Sequence, residues 1–139
     1  MLHQIIYASH SLVPMSSAEL MELLETSRRN NAALNVTGLL LHADGNFMQT
    51  IEGERDAVHA LMKKIRSDQR HAGIFVLCDE PIAQRSFGNW SMAFREIRRE
   101  DAARLPGFQQ QREISAEDRD VARNLMRSFF ENADLGRID

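Results

Sequence analysis

Apolar residues along this chain switch between a strand-like alternation and a helix-like spacing of three and four, and the switches delimit its elements. Residues 2–9, LHQIIYAS, are rich in the β-branched and aromatic types that suit a pleated surface and predict a first strand. Ser16 followed by Glu19 forms a capping-box pattern, in which each side chain satisfies an orphan backbone donor. Behind it Leu20, Leu23, Leu24, Ser27 and Asn31 fall on one helical face, predicting a helix over about 17–31. Residues 34–42 and 46–52 read as two strands joined through Ala43-Asp44-Gly45, an Asp-Gly hairpin signal, with Gly53 ending the second. Val58, Leu61, Met62 and Ile65 then form the apolar stripe of a helix over about 55–66. Residues 73–78 are continuously apolar, the pattern of a strand covered on both faces. After Pro81, Trp90, Met92 and Phe94 alternate with Ser91, Ala93 and Arg95 as a last strand.

The order β-α-β-β-α-β-β predicts an α+β, ferredoxin-like core plus one strand over residues 1–97. Beyond Ile97 the composition changes to a charged stretch, a Pro106-Gly107 breaker and a helix over 115–133. Ala122, Leu125, Met126, Phe129, Phe130 and Ala133 line one side of that helix and need a cover. The extension 98–139 is expected either to pack on the free face of the sheet or to form a subunit or partner interface.

A length of 139 residues leaves room for one domain with a short appendage, and 43% hydrophobic against 27% charged residues excludes wholesale disorder. A net charge of -3 argues against a basic nucleic-acid-binding surface. The lone Cys78 excludes an internal disulfide framework and suits a reducing compartment. The N-terminal residues lack the pattern of a signal peptide, and no run approaches the roughly 18 apolar residues of a membrane span. A cytoplasmic protein, with neither nucleic acid nor membrane as direct partner, is the expectation.

Conventional catalytic motifs are missing: there is no glycine-rich phosphate loop, no H-E-x-x-H, no C-x-x-C and no G-x-S-x-G. His3, His10, His42, His59 and His71 show no paired metal-ligand spacing, so no metal site is expected. What stands out is misplaced polarity. Asn31 falls about 20° around its helix from Leu20 and should face the core. Gln49 lies between Phe47 and Ile51 on one face of its strand, opposite Met48, Thr50 and Glu52. A buried amide left unpaired costs about 1–3 kcal/mol. These amides either brace neighbouring backbone or meet a bound planar ligand with donors and acceptors along one edge.

The segments Ile6-Tyr7-Ala8-Ser9, SRRNN (27–31), NVTGLLL (35–41), FMQTIEG (47–53), SDQRH (67–71) and R-x-F-x-x-W-x-M-x-F (85–94) resemble, in order, those of the BLUF family. Members of that family sense blue light with flavin adenine dinucleotide, and the resemblance covers residues 2–97. It implies that Tyr7 and Gln49 form a hydrogen-bond chain to the flavin, and that Asn31 binds the pyrimidine edge with Asn30 beside it. Asp68 and His71 match further flavin-side positions. Lys64 stands where a basic residue often reaches the ring, as a point charge in place of an arginine fork. Trp90 and Met92 match a pair next to the glutamine, one or other of which lies near the flavin.

The implied photochemistry is electron and proton donation from Tyr7 through Gln49, after which the glutamine is left rotated or tautomerised and the absorption shifts to the red. A glutamine suits this because its amide can exchange donor and acceptor ends. Without a phosphate cradle, the dinucleotide end is expected to be loosely held, so FMN or riboflavin is admissible beside FAD. Residues 98–139 are too few for a cyclase or phosphodiesterase. The expected protein is thus a non-enzymatic, short sensor that signals to a separate effector or across subunits, as a dimer or larger homo-oligomer. The competing readings are a small acyl-phosphate hydrolase and a ligand-free interaction module; the second leaves Asn31 and Gln49 without partners.

Overall fold

Residues 1–69, 71–88, 90–108 and 113–131 are described by the computed structural model. The capping box is formed: the Glu19 N–H donates to Ser16 Oγ and the Ser16 N–H to Glu19 Oε1. It starts α1 (Ser17–Ala33), which follows β1 (Leu2–Ser11). β2 (Thr37–Ala43) and β3 (Asn46–Glu54) form the expected hairpin. Its turn is the two residues Asp44 and Gly45, with φ of 50° and 79°, the left-handed pair such a turn requires.

The strand limits differ from expectation for local reasons. β2 begins at Thr37 because Leu34 closes α1 and Asn35, at φ 55°, redirects the chain. Gly53 continues β3 instead of ending it, pairing with His3. A Cβ there would stand 3.2 Å from the Asn35 carbonyl oxygen and from Val36 Cγ2, so the glycine serves close approach of β3 to the segment before β2.

α2 (Arg55–Ser67) leads to β4 (His71–Pro81), and β5 (Ala93–Glu96) follows a long loop. The sheet order is β4-β1-β3-β2-β5, antiparallel except for the parallel β2–β5 pair. This is the ferredoxin-like arrangement with one added strand. β4 is an edge strand, yet it has cover on both faces as expected: Phe75, Leu77 and Cys78 pack against one core, and Ile74 and Val76 against the other. β5 starts at Ala93, not Trp90. The carbonyls of Ser91 and Met92 are taken by Asn31 and Arg28 side chains from α1.

One face of the sheet, carrying Ile5, Tyr7, Phe47 and Ile51, packs under Leu20 and Leu24 of α1 and Val58, Leu61 and Met62 of α2. The other, carrying Ile6, Leu39, Leu41 and Met48, is covered by residues of 98–131: Leu105, Phe108 and Ile114, and Met126 and Phe129 of α4 (Ala116–Glu131), which follows the short α3 (Arg99–Ala102). Phe130 meets Phe87 edge-on at 5.2 Å. Ala133, assigned above to the same apolar stripe, lies outside the described residues. Each phenylalanine buried this way contributes about 1.5–3 kcal/mol. Among the described residues no helix is long and apolar enough to cross a membrane.

Candidate functional site

Tyr7 and Gln49 are directly opposed in the β1–β3 ladder, which places their side chains on one face in contact range. Both are buried, as alternation along each strand requires. The Tyr7 hydroxyl donates to Gln49 Oε1, and Gln49 Nε2 donates to Met92 Sδ at 3.2 Å. The glutamine amide therefore has its acceptor end on the tyrosine and its donor end on the segment entering β5. Burial pushes the Tyr7 phenol far above its ordinary pKa, and the nearby Asp68 carboxylate adds to the shift. The phenol is consequently neutral across the physiological range and available as a donor.

Asn31, on the last turn of α1, is 1% exposed, as its helical phase demands. Its Nδ2 donates to the Ser91 carbonyl at 2.6 Å, and Arg28 Nε donates to the Met92 carbonyl at 2.9 Å. One end of the Asn31 amide thus braces backbone. His71 Nε2 donates to the Ile65 carbonyl at 3.0 Å, which makes Nδ1 the acceptor of the Ser9 hydroxyl at 2.9 Å. That pair pins the start of β4 to both α2 and β1.

Between α1 and α2, floored by the sheet, lies a cleft with about 710 Å³ of empty space, its open mouth included. Tyr7, Asn30, Asn31, Gln49, Lys64, Asp68 and His71 all line it. Leu23, Leu40, Phe47, Leu61 and Ile65 supply apolar walls. Met92 is fully buried behind Gln49, whereas Trp90 is 46% exposed and is not among the lining residues. Sequence reasoning missed Ser9, Thr26, Ser27 and the Arg28 tie. Ser9 could have been found, since it lies two residues after Tyr7 on the same strand face.

The cleft is concave and mostly apolar with a few polar groups converging on it, the form of a small-molecule site. Its donor set also suits a flavin ring: carboxamides with both hydrogen-bond roles, one ammonium and apolar walls for a flat tricyclic body. Residues 2–93 match the family model described as BLUF, sensors of blue-light using FAD. The chain belongs to the BLUF family. It is a flavin-binding blue-light sensor, and that membership sets aside the hydrolase and ligand-free readings.

Among curated BLUF relatives, the photoactivated adenylate cyclase subunit beta of Euglena longa is 39% identical over 87 residues, 62% of this chain and 10% of that protein. Subunit alpha of Euglena gracilis is 37% identical over 83 residues, 60% of this chain and 8% of that protein. The chain therefore matches about a tenth of the length of these cyclase subunits. Solved structures align more fully. BlrB, a BLUF protein in its dark state, is 31% identical with a TM-score of 0.72, covering 91% of this chain and 96% of that one. The photo-activated state of BlsA is 26% identical with a TM-score of 0.77, covering 91% and 95%. Klebsiella pneumoniae BlrP1 with FMN and cyclic diGMP is 27% identical with a TM-score of 0.69, covering 95% of this chain and 35% of that one.

Proposed function

We propose that Tyr7, Gln49 and Met92 are the light-responsive relay of this sensor, and that Asn30, Asn31, Lys64, Asp68 and His71 hold the flavin. The observation that carries the reading is the continuous chain from the Tyr7 hydroxyl through both ends of the Gln49 amide to Met92 Sδ, at the wall of the cleft. Bound flavin supplies the visible absorption and, when excited, the oxidising power. Tyr7 supplies an electron and its phenolic proton, with Gln49 Oε1 as the adjoining acceptor. When both return, the amide can settle with its two ends exchanged, because only its hydrogen-bond roles distinguish them. Asn31 offers the amide end not committed to Ser91, and Lys64 a positive charge. Leu40, Phe47 and Leu61 exclude water from the ring face.

An altered Gln49–Met92 bond acts on the segment that leads into β5. Arg95 of β5 donates to the Phe129 carbonyl of α4 at 3.2 Å, which supports a route from cleft to extension. Gln49→Glu tests the relay. An ionised carboxylate has no N–H to reorient, so the variant should take up flavin but show no light-induced red shift. A full-sized shift in it would overturn the assignment.

In this reading FAD is the resident flavin and FMN is also accepted, supported by the family description and by the FMN of the Klebsiella neighbour. On the same reading the residues sense and do not catalyse; the chain matches only 10% of the length of the Euglena longa cyclase subunit. The signal passes to a separate effector, or across the subunits of a homo-oligomer. Exposed Leu12, Val13 and Met21 around the start of α1 support such a contact. Light scattering on the eluted protein should give at least twice 15.9 kDa. A single-chain mass at high concentration would contradict it.

A further inference from the structure

We propose that His3, His59 and Asp79 form a binding site for a zinc-type divalent metal ion at the edge of the sheet, separate from the flavin cleft. The three residues come from β1, α2 and β4, so no sequence spacing announces them. One ligand atom from each lies within 4.8 Å of the other two. His59 Nε2 stands 3.2 Å from each Asp79 carboxylate oxygen, and His3 Nε2 is in hydrogen-bond contact with Asp79 Oδ1. Tetrahedral zinc with ligands at about 2.0–2.1 Å holds its ligand atoms about 3.3–3.4 Å apart. The His59–Asp79 pair already has that spacing, and His3 lies within reach of the same point.

The hydrogen-bond geometry points the same way. His59 Nδ1 lies 2.9 Å from the Arg55 carbonyl, which can only accept, so Nδ1 carries the hydrogen. In the neutral ring Nε2 then presents a lone pair to the Asp79 carboxylate, which has only lone pairs to offer in return. A zinc-type ion between them would satisfy both sets of lone pairs. The backbone carbonyl behind the ring is the second contact that orients metal-ligating histidines. Two imidazoles and one carboxylate favour zinc-type ions over magnesium or calcium. His3 is 6% exposed and provides a fixed inner ligand. The side chains of His59 and Asp79 are 41% and 44% exposed, so water can complete the coordination. An ion there fastens the first half of α2 to the sheet edge.

The test is calorimetric titration of the tag-free, flavin-loaded, chelator-treated chain with zinc chloride, repeated in excess magnesium. One ion per chain should bind, indifferent to magnesium. His59→Ala and Asp79→Asn should each weaken binding at least about tenfold. Both alter part-exposed side chains, and an unchanged flavin spectrum and circular dichroism would certify their folds. Absence of binding at submillimolar zinc overturns the proposal. Binding that survives both substitutions places the ion elsewhere and overturns it equally.

Discussion

Tyr7→Phe should keep flavin in the cleft and abolish the light-induced red shift. The substitution removes a single oxygen from a side chain that is 3% exposed and preserves the ring that fills the core beside Ile5 and Phe47. What it deletes is the donor to Gln49 Oε1. The acceptor left behind costs about 1–3 kcal/mol, so the variant is expected to fold with reduced stability. No other tyrosine can stand in, because Tyr7 is the chain's only one. The difference spectrum after illumination checks this directly; a shift of normal size in the variant would mean that the phenol is not part of the relay. The raised pKa of Tyr7 adds a pH signature. Native protein holds this proton where an unfolded tyrosine, with a pKa of about 10, has lost it. That contribution to stability is present below about pH 10 and declines as pH rises beyond it.

Glu52→Ala should be the most destabilising single change near the site, at about 3–5 kcal/mol. Glu52 is fully buried on the face of β3 opposite Gln49, yet it works for the same cleft. Its carboxylate accepts the backbone N–H groups of Ser86 and Phe87 and the Thr37 hydroxyl. Arg85 adds bonds to the Thr37 hydroxyl and to the Glu52 carbonyl, bringing positive charge alongside. The clamp fixes the loop that delivers Ser91 and Met92 to Asn31 and Gln49. Removing it orphans the buried Phe87 N–H and the part-buried Ser86 N–H and leaves a cavity. Urea unfolding at unchanged slope measures the cost. A change below about 1 kcal/mol would show that the loop is held by other contacts.

Why Glu52 escaped sequence reading is instructive. Alternation put it on the face opposite Gln49, where a carboxylate ordinarily meets solvent, and its partners lie fifteen residues away for Thr37 and more than thirty for Ser86 and Phe87. Local signals fared better. The capping box, the Asp44-Gly45 turn and the helical phase of Asn31 rest on interactions within a few residues, and each appears as expected. The continuous apolar run of β4 could not reveal an edge position, since a strand's place in the sheet is set by pairing and not by its own hydrophobicity. Trp90 fell outside β5 because α1 side chains claim the carbonyls that follow it. The apolar stripe of α4 announced that it needed a cover, but not that Ile6, Leu41 and Met48 would provide it. The His3–His59–Asp79 cluster was invisible for the same reason: three elements each contribute one ligand.

A reversible, flavin-based light response governed by the Tyr7–Gln49 pair is what this geometry supports. The most direct test is the absorption spectrum of the flavin-loaded protein in darkness, after blue light and through recovery, with Tyr7→Phe measured in parallel. The expected result is a flavin band that moves slightly to the red in the native protein, returns in the dark and stays fixed in the variant. A flavin band that illumination leaves unmoved in the native protein, or one that moves equally in both proteins, would contradict it.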